Sequence, residues 1–156
     1  MAEPVPEPTI DLDRQERPER PLEVVFRIAV VDDDALVRRT VWCSMSEEPA
    51  LQLVGEATSA ASAVELVRSS EPDLMVLDNQ IEGMTTGAEV APRLKAVQPA
   101  LRIVMFSSDP AVDAGAPVDS FVRKPNFQLL LPTVRLLLRL PLTETDVALL
   151  GAQPPG

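Results

Sequence analysis

The side chains best suited to chemistry stand at the ends of apolar runs. VVFRIAVV ends in Asp32 and Asp33, DLMVL in Asp78, LRIVMF in the hydroxyl of Ser107, and the run closing with FVR in Lys124. Three carboxylates brought within a few ångströms of one another repel, so they must take up protons or share a cation. Oxygen ligands without His or Cys suit a hard divalent ion, and Mg²⁺ characteristically takes one or two carboxylates, waters and a phosphate oxygen. Such a pocket suits a phosphoryl group. Asp78 is then the natural nucleophile, because a carboxylate can accept phosphoryl as an acyl phosphate. The Lys124 ammonium and the Ser107 hydroxyl would neutralise and hydrogen-bond the new oxygens. Only two lysines, Lys95 and Lys124, stand among twelve arginines, which marks Lys124 as a site wanting a compact point charge. Taken singly, each of these residues reads as a turn or cap residue, as Asp34 does. The combination at four separate strand ends is what points to chemistry.

For these groups to meet, the runs that carry them must lie side by side, and the pattern between the runs supplies that. Val24–Val31, 51–55, 73–78, 101–106 and 118–123 read as strands, the first nearly all apolar, as in a parallel strand covered on both faces. Between them, helical spacing predicts helices over 35–47, over a stretch capped by Ser59, over 87–97 and over 126–140. Pro92 must kink the third of these or lie within its first turns, and Pro132 means a kink or a late start for the last. Strand and helix in alternation make right-handed βαβ units, and hence an α/β doubly wound parallel sheet with helices on both faces. In that architecture ligands sit beyond the carboxyl ends of the strands.

Composition narrows the partners. With 156 residues the chain holds one globular unit plus tails. A net charge of −10 repels phosphate backbones, so direct nucleic-acid binding is not expected. The single cysteine, Cys43, excludes an internal disulfide and fits a reducing cytoplasm, and the absence of histidine excludes the common zinc sites and His-based triads. No apolar run is long enough for membrane insertion. Residues 1–23 hold five prolines and seven acids against three arginines, the composition of a solvated, disordered tail.

VVDDDALVRR, PDLMVLD, IVMFSS and FVRKP together resemble the signature segments of the response-regulator receiver domain of bacterial two-component signalling. EEPALQLVGEATSAASAVELV resembles its LuxR-type branch, and the likeness covers about residues 24–140. The resemblance implies a flavodoxin-like five-stranded sheet in the order 2-1-3-4-5. It makes Asp78 the phosphoacceptor, Asp32 and Asp33 the metal acids, Ser107 the switch hydroxyl and Lys124 the phosphate-binding lysine. It adds the backbone carbonyl of Gln80 as a further Mg²⁺ ligand and Phe121 as the aromatic switch. The implied phosphodonor is a phosphohistidine on a sensor histidine kinase or phosphotransfer protein, and the implied location is the bacterial cytoplasm.

The sequence departs from that family in two places. After its phosphoacceptor the family usually has Pro fourth and Gly eighth, whereas here Glu82 and Thr86 take those positions and the glycine is delayed to Gly87. Two prolines and a glycine between Ser107 and Lys124 predict a fourth helix that is shortened or absent. FQLLLPTVRLLLRL is apolar nearly all round, which predicts either a homodimer or partner interface on the 118–140 face or cover from a terminal segment. Residues 141–156 read as a tail with a short helix started by a Thr143–Asp146 capping box, resembling the opening of a LuxR-type helix-turn-helix without a recognition helix. The expected function is a phosphorylation-dependent switch working through protein–protein contact. A phosphorylation-independent scaffold is the alternative, and a phosphatase is disfavoured because Asn79 and Gln80, after Asp78, offer no second acid.

Overall fold

A computed structural model describes residues 2–5, 24–109 and 117–152. Five parallel strands, β1 (Phe26–Val31), β2 (Leu51–Ala57), β3 (Leu74–Leu77), β4 (Arg102–Ser107) and β5 (Ser120–Arg123), form one sheet in the order β2-β1-β3-β4-β5. The helices are α1 (Ala35–Met45), α2 (Ala60–Ser70), α3 (Gly87–Val97), α4 (Leu130–Leu137) and α5 (Glu144–Gly151). Side chains alternate across the strands, so the sheet builds a core on each face. Ala29, Val31, Met75, Leu77, Ile103 and Met105 pack with α2 and α3. Ile28, Val30, Leu74, Val76, Val104 and Phe106 pack with α1 and α4. The doubly wound parallel sheet and its strand order are as the sequence led us to expect.

Element ends follow local chemistry. Asp34 caps α1 by accepting from the Leu36 N–H at 2.8 Å, and capping boxes start α2 at Ser59, α3 at Thr86 and α5 at Thr143. β1 begins two residues later than predicted, leaving Val24 and Val25 exposed. The last predicted helix begins not at Asn126 but at Leu130, after a 3₁₀ segment over Lys124–Leu129. Pro125 opens that segment and Asn126 leaves helical geometry at φ −101° and ψ 42°, so an α-helix cannot establish itself earlier. Pro132 is then the third residue of α4, where its missing N–H has no intrahelical acceptor to lose. Pro92 lies inside α3, beyond its first turn.

The apolar girdle of α4 finds most of its cover within the chain. Leu130 and Val134 face the sheet, Leu129, Leu131 and Leu138 are also buried, and Leu149 of α5 packs against the same core. Leu136 stays 54% exposed. The expectation of a shortened fourth helix falls on 110–116, outside the described residues, while the flanking 108–109 and 117–119 are not helical. Nearly all of the tail expected over 1–23 also lies outside them.

Candidate functional site

Strand register assembles the site. Val31, Leu77, Met105 and Phe121 lie in one row across β1, β3, β4 and β5. Asp32 and Asp78 therefore leave the sheet level with each other, with Ser107 two residues and Lys124 three residues past the same row on the neighbouring strands. Ligating oxygens of Asp32, Asp33 and Asp78 all lie within 4.8 Å of one another. Asp32 and Asp78 are buried, at 2% and 3% exposure, and Asp33 is exposed. Lys124 donates to Asp78 Oδ2 at 2.9 Å. Its Nζ also stands 2.9 Å from Asp32 Oδ2, as an ion pair without hydrogen-bond alignment.

The electrostatics are those of an acid pocket held together by one ammonium. Burial pushes the Asp32 carboxyl up to about 6, and nearby Asp78 adds to the rise against the Asp34 N–H hydrogen bond and the adjacent Lys124 ammonium. Burial alone would lower Lys124, but its two carboxylate partners outweigh that and hold it above its ordinary value. Asp32 Oδ2 and Asp78 Oδ1 remain buried without a hydrogen bond among the described residues. Buried acceptors left that way are costly. A hard dication is the partner that two such oxygens and a third acid fit, so the residues present suit Mg²⁺.

The structure brings together Asp32, Asp33, Asp78 and Lys124. Ser107 is buried at the end of β4, where its Oγ accepts from the Asp109 N–H at 3.2 Å. Phe121 sits on the edge strand β5 and is 37% exposed. Gln80 is exposed two residues after Asp78. Trp42, half-exposed on α1, lines a groove with Ala35, Arg38 and Glu56.

The unusual loop after β3 keeps its glycine where the backbone needs it. A Cβ on Gly87 would stand 2.0 Å from the Asp78 carbonyl oxygen, so the start of α3 rests directly on the Asp78 backbone. Thr86 caps that helix instead. Within the loop, the Glu82 N–H donates to the Thr58 carbonyl at 2.7 Å and its Oε2 accepts from the Thr58 hydroxyl at 2.9 Å. Asn79 is a residue that sequence reasoning passed over. Its carbonyl accepts from the Gly87 N–H at 2.9 Å, its Oδ1 from the Ala88 N–H at 3.0 Å, and its Nδ2 donates to Asp109 Oδ2 at 3.3 Å. An Asn just after a strand is so common in turns that its type alone carries no such signal.

The profile of the response regulator receiver domain matches residues 28–131. The chain belongs to the response regulator receiver family. The receiver is similar to the probable transcriptional regulatory protein NarL of Mycobacterium tuberculosis, 34% identical over 88 residues, or 55% of this chain and 40% of that protein. It is also similar to the protein-glutamate methylesterase/protein-glutamine glutaminase of Pseudoalteromonas atlantica, 33% identical over 97 residues, or 62% of this chain and 25% of that protein. The receiver thus spans less than half the length of either relative. Among solved structures, it superposes on the signal receiver domain of the Mycobacterium tuberculosis NarL with a TM-score of 0.56 and 30% identity, covering 64% of this chain and 84% of that one. Receivers are the regulatory domains of two-component signal transduction, so the domain is a signalling module. Among the described residues no helix is long and apolar enough to cross a membrane.

Proposed function

We propose that this receiver is a phosphorylation-dependent switch in which Asp78 accepts a phosphoryl group from a phosphohistidine of a sensor histidine kinase or phosphotransfer protein. A carboxylate oxygen of Asp78 attacks phosphorus, the P–N bond breaks, and its electron pair stays on the imidazole nitrogen, which takes up a proton. The observation that carries this reading is the shared ammonium. Lys124 spans Asp32 and Asp78 at 2.9 Å each, ready to follow the charge onto the phosphoryl oxygens. Asp32, Asp33, Asp78 and the Gln80 carbonyl are the Mg²⁺ ligands, and the ion, when bound, screens the charge that collects between carboxylate and phosphoryl. Ser107 then turns its hydroxyl to a phosphoryl oxygen, and Phe121 moves toward the space it leaves. The β5–α4 face changes as a result, shifting an equilibrium between two states of a surface that binds a second copy or a partner protein. Nothing in this step uses DNA or a membrane.

Incubation with acetyl phosphate and Mg²⁺ should add the mass of one phosphoryl group to the wild type and none to Asp78→Asn. Equal labelling of the two proteins would reject Asp78 as acceptor. The lengthened loop anchored by Glu82 is what favours the alternative, a phosphorylation-independent scaffold. That alternative predicts no saturable change in Trp42 fluorescence when Mg²⁺ and beryllofluoride are added together.

A further inference from the structure

We propose that Arg38 is a positioning residue for the acid pocket, fixing the peptide between Asp32 and Asp33 so that both carboxylates face the same ion. The inference rests on the reading of Asp32 and Asp33 as Mg²⁺ ligands. Arg38 lies in the first turns of α1, a place where an arginine ordinarily extends into water. Here it turns back. Its NH1 donates to the Asp32 carbonyl at 2.8 Å, and its side chain is only 14% exposed. Its Nε stands 3.4 Å from Glu56 Oε1 on β2 but makes no hydrogen bond among the described residues.

That arrangement costs stability, because a largely buried guanidinium with one unmatched N–H has given up water for incomplete pairing. What it delivers is geometry. The carbonyl it holds belongs to the peptide unit joining Asp32 to Asp33, so the bond restrains ψ of Asp32 and φ of Asp33, the torsions that set how the acid pair leaves β1. The neighbouring restraints act elsewhere. The Asp32 N–H is held by the Ala57 carbonyl at 3.1 Å, and the Asp34 N–H by Asp32 Oδ1 at 2.8 Å. Asp32 is thus tied on both sides, whereas Asp33, exposed and outside the sheet ladder, is oriented through the carbonyl that Arg38 grips. The main chain of Arg38 reinforces the grip, since its N–H donates to the Asp34 carbonyl at 3.1 Å. One residue therefore binds the acid turn at both ends.

Partners of this kind, one shell out from a metal, typically change metal affinity by about 10-fold or more when removed. The experiment is a Mg²⁺ titration of the full chain followed by Trp42 fluorescence, with isothermal calorimetry as the second readout and thermal melts of the metal-free protein alongside. Arg38→Met keeps the stem and removes the donor. It should weaken Mg²⁺ binding by about 10-fold without lowering the metal-free melting midpoint, and Arg38→Lys, which keeps a donor, should recover part of the loss. Wild-type affinity in Arg38→Met would overturn the proposal, and so would a loss of affinity matched by a fall in the metal-free midpoint, which is the mark of a packing role. Should Arg38→Met fail to fold, Arg38→Gln, too short to reach the Asp32 carbonyl, faces the same two criteria. A wild type that binds no Mg²⁺ would instead remove the metal reading beneath the inference, an outcome distinct from unchanged affinity in the variant.

Discussion

Asp32 is asked to ionise where water scarcely reaches. Its carboxyl, pushed by burial from 3.8 to about 6, binds its proton more tightly in the folded chain than in the unfolded one. The stabilisation from that proton is complete below 3.8 and is lost as pH rises through about 6. The metal-free domain should therefore melt at a lower temperature at pH 7 than at pH 4.5, Mg²⁺ should restore the difference, and Asp32→Asn should flatten the slope; differential scanning calorimetry across that range checks all three. The shifts at Asp146, downward, and Lys124, upward, act outside this window. Gly87 makes a second residue-level case. Gly87→Ala would put a methyl 2.0 Å from the Asp78 carbonyl, so we expect a loss of about 3 kcal/mol in urea denaturation together with impaired phosphoryl acceptance. The four side chains that meet, Asp32, Asp33, Asp78 and Lys124, were legible as candidates because they stand where apolar runs end, and a strand end is visible in a one-dimensional pattern. Gly87 could be named but not placed, since the loop's extra residue hid which position lies under Asp78. Arg38 offered no signal at all. An arginine on an amphipathic helix looks the same in sequence whether it faces water or folds back onto a carbonyl.

Among the elements, α5 is the one whose role sequence left open. Its capping box and brief apolar turn were legible, but its docking was not, because the contact depends on residues far apart in the chain. Arg135 of α4 donates through Nε to Glu48 Oε2 at 2.9 Å and through NH1 to both oxygens of Asp146 at 3.0 Å. Burial would push the Asp146 carboxyl up, but hydrogen bonds from the Thr143 N–H and hydroxyl, with the charge and hydrogen bond of Arg135, hold it below its ordinary range. Helices α4 and α5 and the turn after α1 thus meet at one guanidinium, and the Asp146 that closes the capping box is the same residue that anchors the helix. Removing one partner of a buried pair strands the other, at a typical cost of about 3 kcal/mol. Arg135→Met should accordingly lower stability by about that amount and expose 144–151 to hydrogen exchange, while the sheet stays protected. Uniform loss of protection over the whole domain would show that α5 is not a separable layer. The alternation of strand and helix made the sheet itself legible, whereas its strand register, which sets the row from which the pocket rises, has no counterpart in the linear pattern.

For the whole molecule, the question is what a net charge of −10 demands if the proposed output is the binding of a second copy. Phosphorylation adds about 1.5 to 2 further negative charges, so any dimer forms against long-range repulsion and must be held by apolar contact. The exposed apolar groups on the proposed output face are few. Phe121 lies on the edge strand of the sheet, and Leu136 is the exposed leucine of α4. Salt separates the two forces, because at about 0.15 M the screening length is near 8 Å and distant charges fade while apolar contact persists. Sedimentation with Mg²⁺ and beryllofluoride should show a monomer-to-dimer shift that strengthens as salt rises. Leu136→Glu, which places an unpaired charge on that face, should stay monomeric at every salt concentration while still accepting phosphoryl from acetyl phosphate. A wild type that remains monomeric with the mimic bound, at low and high salt alike, would assign the face to a different protein. The same charge argument then requires that partner to bring a basic rim around an apolar centre.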